Sequence, residues 1–275
     1  MCRKLWLAAT ALMLTPLVLA AAPAHAFSFG KPAAPPAQAA AQASGKPGDP
    51  SAQTAMPKAS AQERETAERM DPLSRAAFWA SQVSADPKDA TAGIRLAAAL
   101  RAIGRYQEAY DAAQAVLVLE PKNVEALLET ARVALADNQG FFAIEPARKA
   151  MALAPKDWRA PSLLAVGCDQ AGRPAEALAA HKQAMAVAPD NPLVLSNAAM
   201  FYAGQGDKAQ AEALLRKAAA LPGATVKVRQ NLALVLGLEG KMAEAEALQR
   251  EDLPPQMADN NLAYLKAATA VAVVK

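Results

Sequence analysis

Cysteine and histidine are almost absent from this chain of 275 residues, which has two of each. Cys2 and His25 lie in an N-terminal segment that we expect to be removed, so only Cys168 and His181 would remain. A structural zinc site needs about four Cys or His ligands, and a disulfide needs two cysteines. The sequence therefore predicts neither a zinc site nor an intramolecular disulfide.

The motifs of common enzymes are also missing. No serine lies in the G-x-S-x-G pattern of a nucleophile elbow, and GLEGK at 237–241 lacks the spacing of a phosphate-binding loop. A nucleophilic pair of Cys168 and His181 would lack a third group to orient it, and packing in a helical core is the commoner role for both. We predict a protein that is not an enzyme and that uses no cofactor and no small-molecule substrate. Three carboxylates on predicted helical faces are expected to be solvated: Glu125, Glu129 and Glu145.

Aromatic residues make up only 5% of the chain, although 53% of it is hydrophobic, and alanine carries much of that apolar content. Small side chains let helices approach closely but bury little area each. This composition favours stacked helices over a large aromatic-lined pocket.

The first 26 residues have the pattern of a secretory signal peptide. The basic pair Arg3–Lys4 precedes an apolar run over 5–22 and an A-x-A cleavage site at 24–26. An uncleaved anchor is the alternative, because the run approaches the length that spans a bilayer. Pro16 within the run and the A-x-A site favour cleavage after Ala26. No other segment is apolar enough to span a membrane, so the mature chain is not expected to be an integral membrane protein.

Removal of this segment would take away two positive charges and lower the formal net charge from +3 to +1. A near-neutral chain gives no electrostatic reason to expect binding to nucleic acid. Residues 27–62 are rich in Pro, Ala, Gln, Gly and Ser and are predicted to form a disordered linker that acts as a tether. A role of this linker in binding a partner is the alternative.

What the chain does have is a repeat of 34 residues. Alanine recurs at two positions of the repeat, glycine at a third and proline at a fourth, and such a fixed period marks a repeat architecture. The period and the residue types resemble those of the tetratricopeptide repeat, whose unit is a pair of antiparallel helices. The four columns are Ala97, Ala131, Ala165, Ala199 and Ala233; Ala109, Ala143, Ala177, Ala211 and Ala245; Gly104, Asn138, Gly172, Gly206 and Gly240; and Pro87, Pro121, Pro155 and Pro189.

Each column has a physical role in a helix pair. The alanines let the two helices of a pair approach each other, and the proline ends the second helix. The glycine takes a positive φ at the turn between the helices, and Asn138 replaces it in the second unit because Asn tolerates this conformation next best. We predict an all-α fold, a right-handed superhelical solenoid of about five tetratricopeptide helix pairs over 90–255.

A capping helix is expected at each end. The N-terminal one, within 63–89, would span 71–87 with Asp71 as its cap and Pro72 in its first turn. The C-terminal one, in 256–275, would cover the last pair with Leu262, Tyr264, Leu265 and Ala268.

The predicted ends of the paired helices follow from these columns. The pairs are 89–102 with 105–119, 122–137 with 141–153, 158–170 with 173–187, 191–204 with 207–220, and 225–238 with 241–250.

In the tetratricopeptide fold the first helix of each pair lines the concave side. Positions 2, 5, 6, 9 and 12 of each unit are therefore candidates for a groove that holds an extended or helical peptide. The charges do not reproduce the lysine-rich clamp that some relatives use for a C-terminal carboxylate, and Asn at position 6 is common for structural reasons alone. The candidates are Arg95, Arg101, Glu125, Leu128, Arg132, Arg159, Ser162, Val166, Asp169, Ser196, Asn197, Met200, Lys227, Gln230 and Asn231.

The C-terminal third resembles the TadD-type proteins of Tad/Flp pilus assembly. The resemblance rests on VRQNLALVLGLEGK at 228–241, EAEAL at 244–248, the break DLPP at 252–255 and NNLAYLKA at 260–267. It implies an envelope scaffold that helps to assemble the pilus secretion machine, with the outer-membrane secretin and its helper proteins as partners. Many relatives are lipoproteins, whereas this chain has no cysteine at the cleavage point.

The resemblance and the signal peptide together lead us to expect a periplasmic protein, in solution or associated with the outer membrane. A periplasmic peptide-binding adaptor or chaperone for another envelope complex is the second hypothesis. An envelope enzyme with a helical-repeat fold is the third, and it would need catalytic residues that the sequence does not offer.

Overall fold

The computed structural model of the protein describes residues 58–273, with side chains as far as Ala268. The predicted signal peptide and most of the predicted linker lie outside these described residues. Between 58 and 273 all regular structure is helical. The helices are α1 (Ala61–Glu68), α2 (Pro72–Ala85), α3 (Ala90–Ala102), α4 (Tyr106–Leu119), α5 (Val124–Ala136), α6 (Gly140–Leu153), α7 (Arg159–Gln170), α8 (Pro174–Val187), α9 (Pro192–Gly204), α10 (Lys208–Ala220), α11 (Val226–Leu238), α12 (Met242–Asp252) and α13 (Pro255–Val273).

The five predicted helix pairs are confirmed as α3 with α4, α5 with α6, α7 with α8, α9 with α10, and α11 with α12. No end of these helices differs from its predicted position by more than two residues. The agreement is close because the repeat places a helix-stopping residue at each boundary, so the boundaries do not depend on weak differences in helix propensity.

In three of the five pairs, those that begin with α3, α5 and α9, the first helix begins directly after a side chain that caps it. Asp89 accepts a hydrogen bond from the backbone N–H of Ala92 at 2.9 Å, and Asn123 accepts one from Ala126 at 3.0 Å. Asn191 does the same for the first turn of α9. Each bond satisfies a backbone N–H that has no partner inside the helix, which stabilises the start of the helix by about 1 kcal/mol.

The turn between the two helices of a pair takes the predicted left-handed backbone. Gly172 has a φ of 72°, and Asn138 has a φ of 58° at the same repeat position. Asn138 is the one residue other than glycine with a positive φ among the described residues. The prediction that Asn138 takes the place of the turn glycine in the second unit is therefore confirmed.

Alanine forms most of the core. All ten residues of the two alanine columns have no solvent exposure. Each first helix packs against its own second helix and against the first helix of the next pair, whereas the second helices do not pack on one another to a comparable extent. Closer spacing of the first helices puts them on the inner side of a superhelical stack.

The N-terminal cap differs from its prediction. The predicted helix is α2, which begins at Pro72, and Asp71 caps it as expected by accepting hydrogen bonds from Leu73 and Ser74. A further helix, α1, precedes it and was not predicted. Packed structure also begins earlier than residue 63. Lys58, placed in the linker by the sequence, forms an ion pair with Asp86 at 2.7 Å.

The C-terminal cap is a single helix, α13, which packs on α11 and α12. Leu262 and Leu265 are buried on that side, as expected, but Tyr264 is 44% exposed and does not cover the last pair. A Cβ atom at Gly237 would lie 2.6 Å from the side chain of Leu265, so close approach of α13 depends on that glycine.

Substitution of Asn138 tests the turn. Asn138→Ala places a Cβ-bearing residue without a polar side chain at positive φ, and we expect it to lower the free energy of unfolding by about 1 kcal/mol. Asn138→Gly should restore that loss or exceed it. Urea unfolding followed by circular dichroism measures both. Gln205→Ala, at a turn residue with φ of −82°, is the control and should change little. A loss in Asn138→Gly as large as in Asn138→Ala would contradict the assignment.

Candidate protein-interaction groove

The exposed face of the inner helices α3, α5, α7, α9 and α11 is the candidate groove. Eleven of the fifteen groove candidates carry side chains that solvent reaches, fully or in part. These are Arg95, Arg101, Glu125, Arg132, Arg159, Val166, Asp169, Asn197, Met200, Lys227 and Asn231.

Four candidates do not belong to this surface and correct the sequence-based expectation. Leu128, Ser162, Ser196 and Gln230 all stand at position 5 of their repeats, and all are buried. The reason is geometric, because position 5 faces the neighbouring inner helix. Their side chains pack inside the stack and are not part of its exposed surface.

Two of the buried serines orient the asparagines of the next repeat. The side-chain amide of Asn197 donates to Oγ of Ser162 at 3.1 Å, and that of Asn231 donates to Oγ of Ser196 at 3.0 Å. The two bonds are equivalent by the repeat, and each ties one inner helix to the next. Two half-buried amides are thereby held in fixed orientations one repeat apart, which suits them to hydrogen bonding with an extended backbone.

The N-terminal half of the groove holds a buried carboxylate. Glu129, expected to be solvated, has a side chain only 3% exposed. Its Oε1 accepts from Nε of Arg101 at 2.7 Å, and its Oε2 accepts from Arg132 at 3.0 Å. Arg101 comes from the preceding inner helix, so this cluster joins α3 to α5. A buried carboxylate needs such partners because burial without them is costly.

A second ion-pair cluster joins α5 to α7. Arg159 donates to both carboxylate oxygens of Glu125, at 2.9 and 2.5 Å, and also contacts Asp157 at 2.6 Å. Hydrogen bonding to Arg159 lowers the pKa of Asp157. The arginines of this half are therefore engaged with carboxylates of the chain itself, and the groove does not present a free basic patch.

The two candidate reactive residues are packing residues. Cys168 lies in a core cluster with no exposure, and burial raises the pKa of its thiol. His181 is 1% exposed, its ring lies 5.1 Å from that of Phe201, and its Nε2 has no hydrogen-bond partner among the described residues. Burial lowers the pKa of His181 to about 4. Because Nε2 is unpaired and the thiol is protonated, these two residues do not form an activated nucleophile.

The buried state of Glu129 is the feature that sequence reasoning missed. The repeat pattern held an indication of this burial. Glu129 stands at position 6, and the residues at that position in later repeats, Asn197 and Asn231, are half-buried. Arg132 stands one turn after Glu129, where it can reach the same side chain. A charged residue in a half-buried column with a cation at that spacing indicates a buried ion pair.

Comparison with known proteins agrees with this geometry. A family model described as tetratricopeptide repeat matches residues 170–221, which include α8, α9 and α10. The protein is built of tetratricopeptide repeats. The matched family is a structural repeat and not a catalytic domain. No curated protein sequence matches the chain.

Solved tetratricopeptide structures share the fold over much of the chain. A thermophilic TPR protein of Thermus thermophilus is 26% identical with a TM-score of 0.55, covering 68% of this chain and 100% of its own. A tetratricopeptide repeat protein of Parabacteroides merdae is 16% identical with a TM-score of 0.63, covering 74% and 80%. MamA of Desulfovibrio magneticus is 21% identical with a TM-score of 0.50, covering 57% and 89%. The last two likenesses concern the fold alone.

Replacement of Glu129 tests the buried cluster. Glu129→Gln removes the charge that two arginines share, and we expect a loss of about 1–3 kcal/mol in the free energy of unfolding. The control is Glu125→Gln on the same helix, whose carboxylate is half exposed and should cost less than about 1 kcal/mol. Urea unfolding compares the two. Equal losses would show that burial of Glu129 has no energetic consequence.

The pH dependence of stability tests His181. Its pKa falls from 6.5 in the unfolded chain to about 4 in the folded one, so the unfolded state gains the proton first as the pH drops. Stability is full above pH 7 and should fall by about 2 kcal/mol between pH 7.5 and pH 5.

The matched variant is His181→Leu, because Leu215 is buried at the same repeat position in α10. The difference in free energy of unfolding between the wild type and His181→Leu should change by about 2 kcal/mol between pH 7.5 and pH 5. Parallel curves for the two proteins would exclude His181 as the cause.

Proposed function

We propose that the protein is an interaction scaffold of the cell envelope that assists assembly of a Tad/Flp-type pilus secretion apparatus. The observation that carries the scaffold role is the face of the five inner helices, where most of the groove candidates reach solvent, in a repeat fold of the kind that binds other proteins. The pilus assignment is supported by the C-terminal sequence strings and by the way in which they lie together.

Two of these strings contact each other directly. Arg229 in the first string donates from Nε to both carboxylate oxygens of Asp252, at 3.1 and 2.8 Å, and Asp252 opens the DLPP break. The side chain of Asp252 is only 6% exposed, and hydrogen bonding to Arg229 lowers its pKa. The two strings that carry the family resemblance are separate in the sequence but lie against each other in the structure. This contact supports the proposal that they come from the same family of proteins.

The break also makes the last pair unlike the others. The outer helix α12 has 11 residues, whereas each of the outer helices α4, α6 and α8 has 14. Shortening of α12 lets α13 begin three residues after it ends. The general repeat does not require this arrangement, so it supports a resemblance beyond the tetratricopeptide fold.

The groove itself supports a peptide or a segment of a protein as the ligand. Its C-terminal half offers the two oriented amides, the half-buried thioether of Met200 and the exposed Lys227. Mixed amide and apolar surface of this kind binds an extended chain through its backbone and a few side chains. The partners proposed are the secretin of the outer membrane and its helper proteins, with the periplasm as the compartment, in solution or at the outer membrane. Among residues 58–273, no helix is both long and apolar enough to cross a bilayer.

The same groove surface would also suit a periplasmic peptide-binding adaptor or chaperone of another envelope complex, which is the second candidate. The two roles differ in what fails when the protein is missing. Only the first predicts that pilin is made and yet no pili form.

Deletion of the gene in its native host tests the proposal. Surface pili counted by electron microscopy should disappear, pilin should remain detectable in the cell, and a wild-type copy should restore the pili. Unchanged pili would refute the pilus role and leave the adaptor hypothesis.

Groove variants then test the surface in the same strain. Met200→Lys with Lys227→Glu should fail to restore pili although the protein accumulates normally. Lys182→Glu with Gln183→Lys changes exposed charges on the outer helix α8 and should restore them. Full restoration by the groove variant would exclude this part of the groove.

A further inference from the structure

The outer face of the first two repeats carries an apolar patch that the later repeats lack. Phe141 and Phe142 at the start of α6 are 60% and 58% exposed, and Leu153 at its end is 43% exposed. On α4, the outer helix of the preceding pair, Val118 and Leu119 at the C-terminal end are 79% and 52% exposed. We call these five residues the outer patch.

The repeat shows that this patch has no role in the fold of a pair. The positions of Phe141 and Phe142 are occupied by Ala175 and Glu176 in the next repeat, and by alanine with Gln or Glu in the last two. Those small and polar residues support the same helix geometry. Two exposed phenylalanines therefore add nothing to the folding of the pair, and exposed apolar surface of this kind marks an interaction site.

The sequence of α6 is complementary to itself when the helix is reversed. A two-fold axis at Ala147 places Phe141 opposite Leu153 of a second copy and Phe142 opposite Ala152. The same axis places Glu145 opposite Lys149. These residues lie on the outward face of α6. Glu145 and Lys149 are 67% and 59% exposed and form an ion pair at 3.6 Å within the helix, so in a two-fold arrangement four such charges would alternate in sign around the axis.

We propose that the outer patch binds a second copy of this chain, with α6 of one copy packed antiparallel on α6 of the other. Each copy inserts Phe141 and Phe142 beside the apolar ends of α6 and α4 of its partner, and two Glu145–Lys149 ion pairs flank the axis. A two-fold interface uses the same surface on both copies, and this surface meets that requirement in both shape and charge.

The area and the aromatic geometry are sufficient for a reversible dimer. The outer patch exposes on the order of 500 Å² of apolar side chain per copy, or about 1,000 Å² for two copies, which is the lower limit for a specific interface. The two rings are already ordered, because they meet edge to face at 5.6 Å and Arg173 lies 5.4 Å from the centre of Phe141. Little side-chain entropy would then be lost on binding.

The inner groove is left free by this arrangement. The second copy would cover outer helices α4 and α6, whereas the groove belongs to α3, α5, α7, α9 and α11. The dimer would present two grooves on opposite sides of the axis. This inference does not depend on the proposed pilus role.

Sedimentation equilibrium of the purified full chain over a concentration series tests the dimer. The wild type should reach a dimer mass with a dissociation constant in the micromolar range. Phe141→Ala with Phe142→Glu takes the residues of the next repeat and should weaken dimerisation at least about 30-fold with an unchanged circular dichroism spectrum. A wild type that stays monomeric at several hundred micromolar overturns the proposal, as does a dimer that this variant leaves intact.

The charge pair tests the register independently of the aromatic residues. Glu145→Lys and Lys149→Glu should each be monomeric alone, because like charges would face each other across the axis. Mixed in equal amounts, the two variants should form a heterodimer, since each then faces the opposite charge. Lys217→Glu at the same repeat position of α10 is the control and should dimerise like the wild type. If the mixture does not associate, the antiparallel register is wrong. This result does not depend on whether the variant with Phe141→Ala and Phe142→Glu folds.

Discussion

Contact between alanines at the helix crossings is the constraint on which the rest of the structure depends. In every pair the inner helix presents an alanine at position 8 and the outer helix one at position 20, and none of the ten is exposed. Because these methyl groups are fully buried, a larger side chain at either position would overpack the core and strain the pair. Because the same crossing recurs every 34 residues, the angle and spacing of the pairs are repeated and the stack curves regularly.

Small residues at the crossings leave little apolar area to bury, so polar contacts between repeats have to contribute specificity. Glu129 with Arg101, Arg159 with Glu125, and the paired Asn and Ser residues each join one inner helix to the next. The first two junctions use different ion pairs and the last two use the same Asn–Ser bond, whereas the alanine columns are the same in every pair. The invariant part of the repeat therefore sets the fold, and the variable part gives each stretch of the groove its own chemistry.

The helix pairs could be predicted from the sequence because their boundaries depend on local chemistry. A residue such as Asn138 or Gly172 is recognisable without knowing its neighbours in space. The groove was less accessible to prediction, since the exposure of Leu128 or Glu129 depends on how one repeat is rotated on the next. That rotation is a property of packing between repeats, and a position number within one repeat does not contain it. The helix α1 was not predicted because its region lacks the residues of the columns. Glu63, Met70 and Arg75 stand where the later repeats have alanine, glycine and alanine, although the end of α1 and both ends of α2 keep the 34-residue period.

The two faces of the stack impose different conditions on a scaffold. An inner groove is shaped by five repeats together, so its ligand must be long enough to contact several of them. The outer face is a row of separate helices, and a pair of large side chains on one of them can create a contact without altering the repeat. The outer patch on α4 and α6 is of this kind, because Phe141 and Phe142 replace surface residues and leave the buried columns unchanged. Partner binding and self-association can therefore vary independently on one fold, since the outer patch and the inner groove share no residue.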